Sequence, residues 1–270
     1  MTNAAPRKKI AIITGASAGI GSEFALQIEK NFFLDEIWLV ARRAGPMREL
    51  AEKFLKSRAV ILSMDLTSRS DLVALEKRLA EERPEVDFLV NNAGFGKFGP
   101  FSRLGLEEQM KMIELNVGAL TFLSRAVLPY MKPGASMIQV ASSAAFSPSP
   151  YFAVYSATKA YVLSLSDALG HELRGHGIRV ISVCPGPVET EFFSVAQKSE
   201  YMAGKVGEAE PQHRSLHASS QAVVAKALSD LSWGRRRSIY GFFFRLLCLV
   251  SAWVPVGLRL RLLAHHNQRK

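Results

Sequence analysis

The sequence predicts one α/β domain built on a doubly wound parallel sheet of seven strands, with a basic, apolar extension at its C-terminal end. Three observations predict it. Short apolar runs alternate with longer amphipathic segments from Lys9 onward; the runs are rich in Val, Ile, Leu and aromatic residues, as strands buried on both faces require; and 270 residues with 48% hydrophobic content can bury one large core. Ile10–Thr14 is the first strand, and the helix Glu23–Asn31 after it stops at an asparagine. Glu36–Ala41 and Ala59–Ser63 are the next two strands, and the helix Ser70–Glu82 ends just before Pro84. Val86–Asn91 is the fourth strand, followed by a long helical segment, Glu107–Met131, that stops ahead of Pro133 and Gly134. Ser136–Ser142, the helix Phe152–Arg174, Arg179–Cys184 and Ser238–Tyr240 complete the alternation. Between Glu189 and Ser220 no period is visible, and a loop that long in a compact domain serves as a lid or a substrate loop. A catalytic domain over 1–241 and an extension over 242–270 are the expected units.

Charge is distributed unevenly. The chain carries 34 Lys and Arg against 24 Asp and Glu, but eight of the basic residues and no acidic one lie between Ser232 and Lys270. The body is therefore nearly neutral, and the basicity belongs to the tail. Arg235-Arg236-Arg237 raises a nucleic-acid partner, yet the basic residues bracket an apolar stretch instead of spreading over a recognition surface, so none is expected. Two cysteines, Cys184 and Cys248, have neither disulfide nor metal-ligand spacing, so no metal is expected. Buried free thiols suit a reducing, cytoplasmic setting, and the short run Ile10–Ile13 is no signal-peptide core.

Thr14-Gly15-Ala16-Ser17-Ala18-Gly19-Ile20-Gly21 lies where the first strand gives way to the first helix. Unpaired N–H groups there sit at the positive end of the helix dipole and favour a pyrophosphate, and a Cβ at Gly15, Gly19 or Gly21 would obstruct its approach. Three glycines at a helix start also serve plain packing. The second strand ends Ala41-Arg42-Arg43, at the position that reads the adenosine ribose in dinucleotide folds. A carboxylate there binds the ribose hydroxyls of NAD, whereas an arginine takes the 2′-phosphate of NADP. Ala41 followed by Arg42 and Arg43 thus predicts NADP, the alternative being solvated arginines at a helix entrance.

Tyr155 and Lys159, four apart in a helical segment, share one face. A neighbouring ammonium stabilises a phenolate and is expected to lower the tyrosine pKa, allowing Tyr155 to give a proton to a carbonyl oxygen or take it back. Ser142, at the end of a buried strand, can donate a hydrogen bond to the same oxygen. Asn116 lies in a helical segment where asparagine is unfavourable and so calls for a reason.

Taken in order, these motifs resemble those of the short-chain dehydrogenase/reductase family, whose fold is Rossmann-like, across about Lys9 to Thr190. Thr14 to Gly21, including Ser17 and Ile20, is similar to the family's cofactor turn. Asp65-Leu66 resembles its adenine-pocket pair, and Asn91-Asn92-Ala93-Gly94 its sheet-stabilising motif. Asn116, Ser142, Tyr155 and Lys159 match its catalytic tetrad, and Pro185-Gly186-Pro187-Val188-Glu189-Thr190 its segment along the nicotinamide, with Thr190 at the carboxamide. The resemblance implies that Lys159 also holds the nicotinamide ribose and that Asn116 positions a water linking that lysine to solvent. Ser219 to Val224 resembles the start of the helix before the last strand. The implied activity is hydride transfer between NADP and an apolar ketone, aldehyde or secondary alcohol, the rival being a sensor or scaffold that binds NADP without chemistry.

Phe95, Phe98, Phe146, Tyr151, Phe192 and Phe193 flank the motifs and are expected to line an apolar substrate pocket. In the extension, Ile239 to Leu258 carries a single charge, Arg245. At the middle of a spanning helix an arginine costs about 2.5–3.5 kcal/mol, which favours a helix packed on the sheet, on a second subunit of a homo-oligomer, or on a membrane surface.

Overall fold

A computed structural model describes residues 7–192, 196, 218–251, 254–257 and 259–260 of the chain. Most of the expected loop after Glu189, Phe193 included, lies outside them. Seven parallel strands are ordered β3-β2-β1-β4-β5-β6-β7. They are β1 Lys9–Thr14, β2 Glu36–Ala41, β3 Arg58–Ser63, β4 Glu85–Asn91, β5 Ser136–Val140, β6 Arg179–Val183 and β7 Arg237–Ser238. Strand alternation divides the core. Ala11 and Ile13 face one layer with Phe24 and Ile28 of α1 (Gly19–Asn31), while Ile10 and Ile12 face the other with Leu75 and Leu79 of α3 (Arg69–Glu82). The sheet order reverses between β1 and β4, so a crevice opens beyond their C-terminal ends.

The structure adds α2 (Ala44–Ala51), an element the sequence conceals because Gly45 and Pro46 read as a break; a proline in the first turn of a helix forfeits no hydrogen bond. The long segment Glu107–Met131 is three pieces: α4 (Leu106–Ile113), a π turn over Glu114–Ala119, and α5 (Leu120–Val127), after which a 3₁₀ turn carries Pro129. α6 (Ala153–Glu172) and α7 (Ser220–Ser232) precede β6 and β7. β5 stops at Val140, short of Ser142, because the chain turns there into a 3₁₀ turn over Ser143–Phe146 capped by the Ser142 hydroxyl. β7 likewise ends at Ser238; at Gly241, with φ +86°, the chain swings into α8 (Phe242–Ser251).

Candidate active site

The crevice is a cleft of about 820 Å³, within the range of small-molecule sites. Its floor is the turn after β1. Gly15 (φ +65°) and Gly19 (φ +59°) hold left-handed conformations, and a Cβ on Gly15 would stand 2.6 Å from Asn92 Nδ2 and 3.0 Å from Ala93 Cα. The first turn of α1 holds no acidic residue and no capping side chain, so its positive end is left to an anion. The turn is stapled to β4: Thr14 Oγ1 accepts from Asn92 N–H (2.9 Å) and Ala93 N–H (3.0 Å), and Asn92 Nδ2 donates to Thr14 O (2.9 Å) and Gly15 O (3.2 Å).

Gly15, Ser17, Gly19, Ile20, Arg42, Asp65, Leu66, Asn92, Ala93, Gly94, Ser142, Tyr155, Lys159, Pro185, Gly186, Val188 and Thr190 all line this cleft. Gly21 and Asn116, also expected at the site, do not. Gly21 is buried against the Gly15 carbonyl and Asn92, where a side chain would break the turn. Asn116 sits on the π turn behind the wall, fully buried. It donates to Phe95 O (2.9 Å) and Thr158 Oγ1 (3.1 Å) and accepts Phe95 N–H (3.0 Å). It supports the site from behind: a Cβ on Gly94 would lie 2.8 Å from Asn116 Oδ1 and 3.5 Å from Lys159 Nζ.

At the adenosine end Ala41 closes β2 with Arg42 beyond it. Burial raises the Asp65 pKa, but hydrogen bonds from Thr67 N–H and hydroxyl (3.0 and 2.8 Å), with the charges of Arg42 and Lys111, outweigh it and hold the carboxyl below its usual value. Arg43, the second of the two arginines after Ala41, reaches across the mouth of the cleft to Glu191 (2.7 Å) and Ser17 Oγ (3.3 Å).

α6 turns Tyr155 and Lys159 inward, both buried. Burial pushes the Tyr155 phenol up to about 12, partly offset by a hydrogen bond with Ser142, and pushes the Lys159 ammonium down to about 8. The expectation that lysine lowers the tyrosine pKa is thus reversed in the protein alone. Lys159 Nζ lies 5.8 Å from the Tyr155 ring centre and donates instead to Val140 O at 2.7 Å, so desolvation outweighs its field.

The aromatic lining differs in part from expectation. Phe95 and Phe192 face the cleft, joined by Phe152, which stacks on Tyr155 with ring centres 4.2 Å apart. Phe152 was hidden in the sequence as the start of a helix. Phe98 and Tyr151 stack on each other behind it, and Phe146 points away toward the C-terminal extension, with Arg237 over its ring.

A profile of the short chain dehydrogenase family matches residues 9–200. The chain belongs to the short-chain dehydrogenase family. An uncharacterized oxidoreductase of Staphylococcus epidermidis is 32% identical over 186 residues, spanning 68% of this chain and 80% of that one. A short-chain dehydrogenase from Sphingobium yanoikuyae, solved with NADPH, shares 29% identity and superposes with a TM-score of 0.73, covering 91% of this chain and 93% of that one. The bulky-bulky ketone specific alcohol dehydrogenase from Comamonas testosteroni shares 27%, with a TM-score of 0.70 and coverage of 87% and 86%. The 3-ketoacyl-(acyl-carrier-protein) reductase of Brucella melitensis, solved with NADH, shares 26%, with a TM-score of 0.67 and coverage of 83% and 90%. This short-chain dehydrogenase is therefore an oxidoreductase whose fold takes a nicotinamide cofactor, and the glycine turn and capless helix start fit one.

Proposed function

We propose that this short-chain dehydrogenase uses NADP to interconvert apolar ketones or aldehydes with alcohols. One observation carries the reading: Ser142, Tyr155 and Lys159 converge where the cofactor cleft meets an aromatic wall of Phe95, Phe152 and Phe192. The bound cofactor supplies the hydride. Tyr155, protonated throughout the neutral range, gives its proton to the carbonyl oxygen, and the Ser142 hydroxyl donates to that oxygen as charge develops on it. Lys159 carries a buried positive charge one helical turn away, ready to favour the phenolate left behind.

Support for NADP comes from the end of β2, where Ala41 offers no carboxylate to a ribose and Arg42 lines the cleft beyond it, suited to a phosphate. Solved relatives include both NADPH and NADH complexes. Support for an apolar substrate comes from the aromatic wall. Lys97, which also lines the cleft, is paired with Glu108 at 3.1 Å. A panel of ketones and aldehydes assayed with NADPH and NADH tests the reading; equal use of the two cofactors would overturn the cofactor assignment, and no turnover of any carbonyl would overturn the activity.

Further expectations concern partners and place. Leu106, Met110 and Ile113 of α4 and Tyr161 of α6 are exposed apolar residues that suit self-association, testable by sedimentation. On α8 the outward Phe242 (82% exposed) and Leu246 (49% exposed) flank exposed Arg245, a surface suited to anionic lipid. Among the described residues no helix is long and apolar enough to cross a membrane. Co-sedimentation with anionic and neutral vesicles at low and high salt tests peripheral binding. Two buried free thiols suit a cytoplasmic setting.

A further inference from the structure

The residues after Tyr240 reach the turn that carries Ser142. α8 presents Phe244 and Cys248, four apart and so stacked on one side of the helix, toward the domain. Cys248 is buried, and the Phe244 ring covers Gly186 so closely that a Cβ there would stand 2.7 Å from Cε2 and Cζ. Further along, Arg259 Nη1 donates to Phe146 O at 2.8 Å. The ring of Phe146 lies 5.8 Å from the Arg237 guanidinium, which is itself paired with Asp167 of α6. The two loops gripped in this way are bonded to each other, Ser143 N–H to Pro185 O at 2.8 Å. Ser142 opens the first of them, its Oγ accepting Ala144 N–H at 3.1 Å.

We propose that the C-terminal extension is a clamp that positions Ser142, with Phe244 seated on Gly186 and Arg259 bonded to Phe146 holding the 143–146 turn against the 185–188 segment. The proposal rests on the reading of Ser142 and Tyr155 as groups that meet the substrate oxygen. A serine hydroxyl rotates freely, so its aim is set by what holds its backbone, and a misplacement of about 1 Å can cost roughly 100-fold in rate. Arg259 and Phe244 are positioning residues in this account; neither lines the cleft. Arg259 of the extension is bonded to the domain through Phe146 O, and Arg237 of β7 holds the ring of the same residue from the sheet side. That engagement is what a clamp requires.

The test uses the full chain with NADPH and its best ketone, comparing Arg259→Ala, Arg259→Lys, Phe244→Leu and, on the outer side of α8, Phe242→Ser. For Arg259→Ala the expected result is a roughly tenfold lower kcat with NADPH affinity within about twofold, an order below the limiting cost of misplacement. Because the Ser142 hydroxyl draws the tyrosine pKa down, loosening it should also move the Tyr155 limb of the pH profile upward. Amide exchange over residues 143–150 should quicken. Phe244→Leu should act in the same direction, Arg259→Lys should recover much of the loss, and Phe242→Ser should leave all three readouts unchanged. A lower unfolding temperature with unchanged kcat, pH limb and exchange would make the tail a brace and overturn the clamp, as would equal losses in the Ala and Lys variants. If no carbonyl is turned over by the unmodified protein, the functional reading fails separately. Exchange over 143–150 then decides the clamp, quickening in Arg259→Ala supporting it and no change overturning it.

Discussion

The two ends of the cleft are built in different ways. On the side toward the adenosine, at the turn after β1, the walls are largely backbone: Gly15 and Gly21 meet main chain and the bonded Asn92 amide, and Thr14 and Asn92 staple β1 to β4. At the nicotinamide end the walls are side chains, with Phe152 on Tyr155, Phe192 beyond it and Phe95 beside them. Backbone walls are rigid and suit a ligand that never changes. Side-chain walls can be replaced one at a time without unfolding the sheet, and they suit a substrate that differs between relatives.

The largest effect expected to sharpen this contrast is at the side-chain end. Tyr155→Phe keeps the ring against Phe152 and removes the proton, so ketone reduction should fall by roughly 10²–10⁴ while NADPH titration stays unchanged. Near-normal turnover would end the mechanism, and lost NADPH binding would show that the two ends are not separable. Next comes Lys159. Its pKa is depressed to about 8 in the folded protein, whereas the unfolded chain keeps its proton to about 10.5, so the unfolded chain binds more protons between those values and stability must rise with pH there. Denaturant unfolding at pH 7, 8, 9 and 10 should show a gain approaching about 3 kcal/mol in the unmodified protein that is missing in Lys159→Met. A flat difference between the two would mean that the ammonium is solvated.

At the adenosine end Arg42→Ala should weaken NADPH by about 10- to 100-fold, the worth of a charged hydrogen bond, and leave NADH untouched. Isothermal titration with both cofactors checks it, and parallel losses would deny Arg42 its phosphate. The smallest effects compare two glycines. Gly15→Ala forces a Cβ into φ +65° against Ala93 backbone and should cost about 2 kcal/mol, whereas Gly186→Ala meets only the Phe244 ring, which can turn aside, and should cost about 1 kcal/mol. Thermal unfolding reads both; an equal cost would mean that the Phe244 seat is as rigid as the cradle.

The same contrast explains what was legible in the sequence. β2 was placed at Glu36–Ala41 to the residue because every position in it is buried, and the glycine turn was visible because positive φ and close backbone approach demand glycine. Tyr155 and Lys159 could be paired from helical spacing alone. Phe152 at its helix start, the reach of Arg43 to Glu191 and the seat of Phe244 on Gly186 could not, because no local period marks them. Phe146 was misassigned to the pocket for the same reason: a loop aromatic shows its hydrophobicity in the sequence but not the side toward which it turns. α2 was hidden by Gly45 and Pro46, and the reversed Tyr155 shift by burial, which no spacing reveals.

The π turn at Glu114–Ala119 works as a spare link in a chain. A helical turn of this kind holds one residue more than its neighbours, so the surplus is absorbed on the spot and α4 and α5 on either side need not shift. Asn116 occupies that surplus turn, and its bonds to Phe95 and Thr158 are the visible use made of it. Shortening the turn by one residue would leave a plain helix along the same path, still presenting Leu120, Leu123 and Val127 to the sheet, and would withdraw Asn116 from Phe95 and Thr158. A deletion of one residue there would therefore act on the wall of the cleft, through Asn116 behind Phe95 and through Leu115, which lines it, while the sheet keeps its cover.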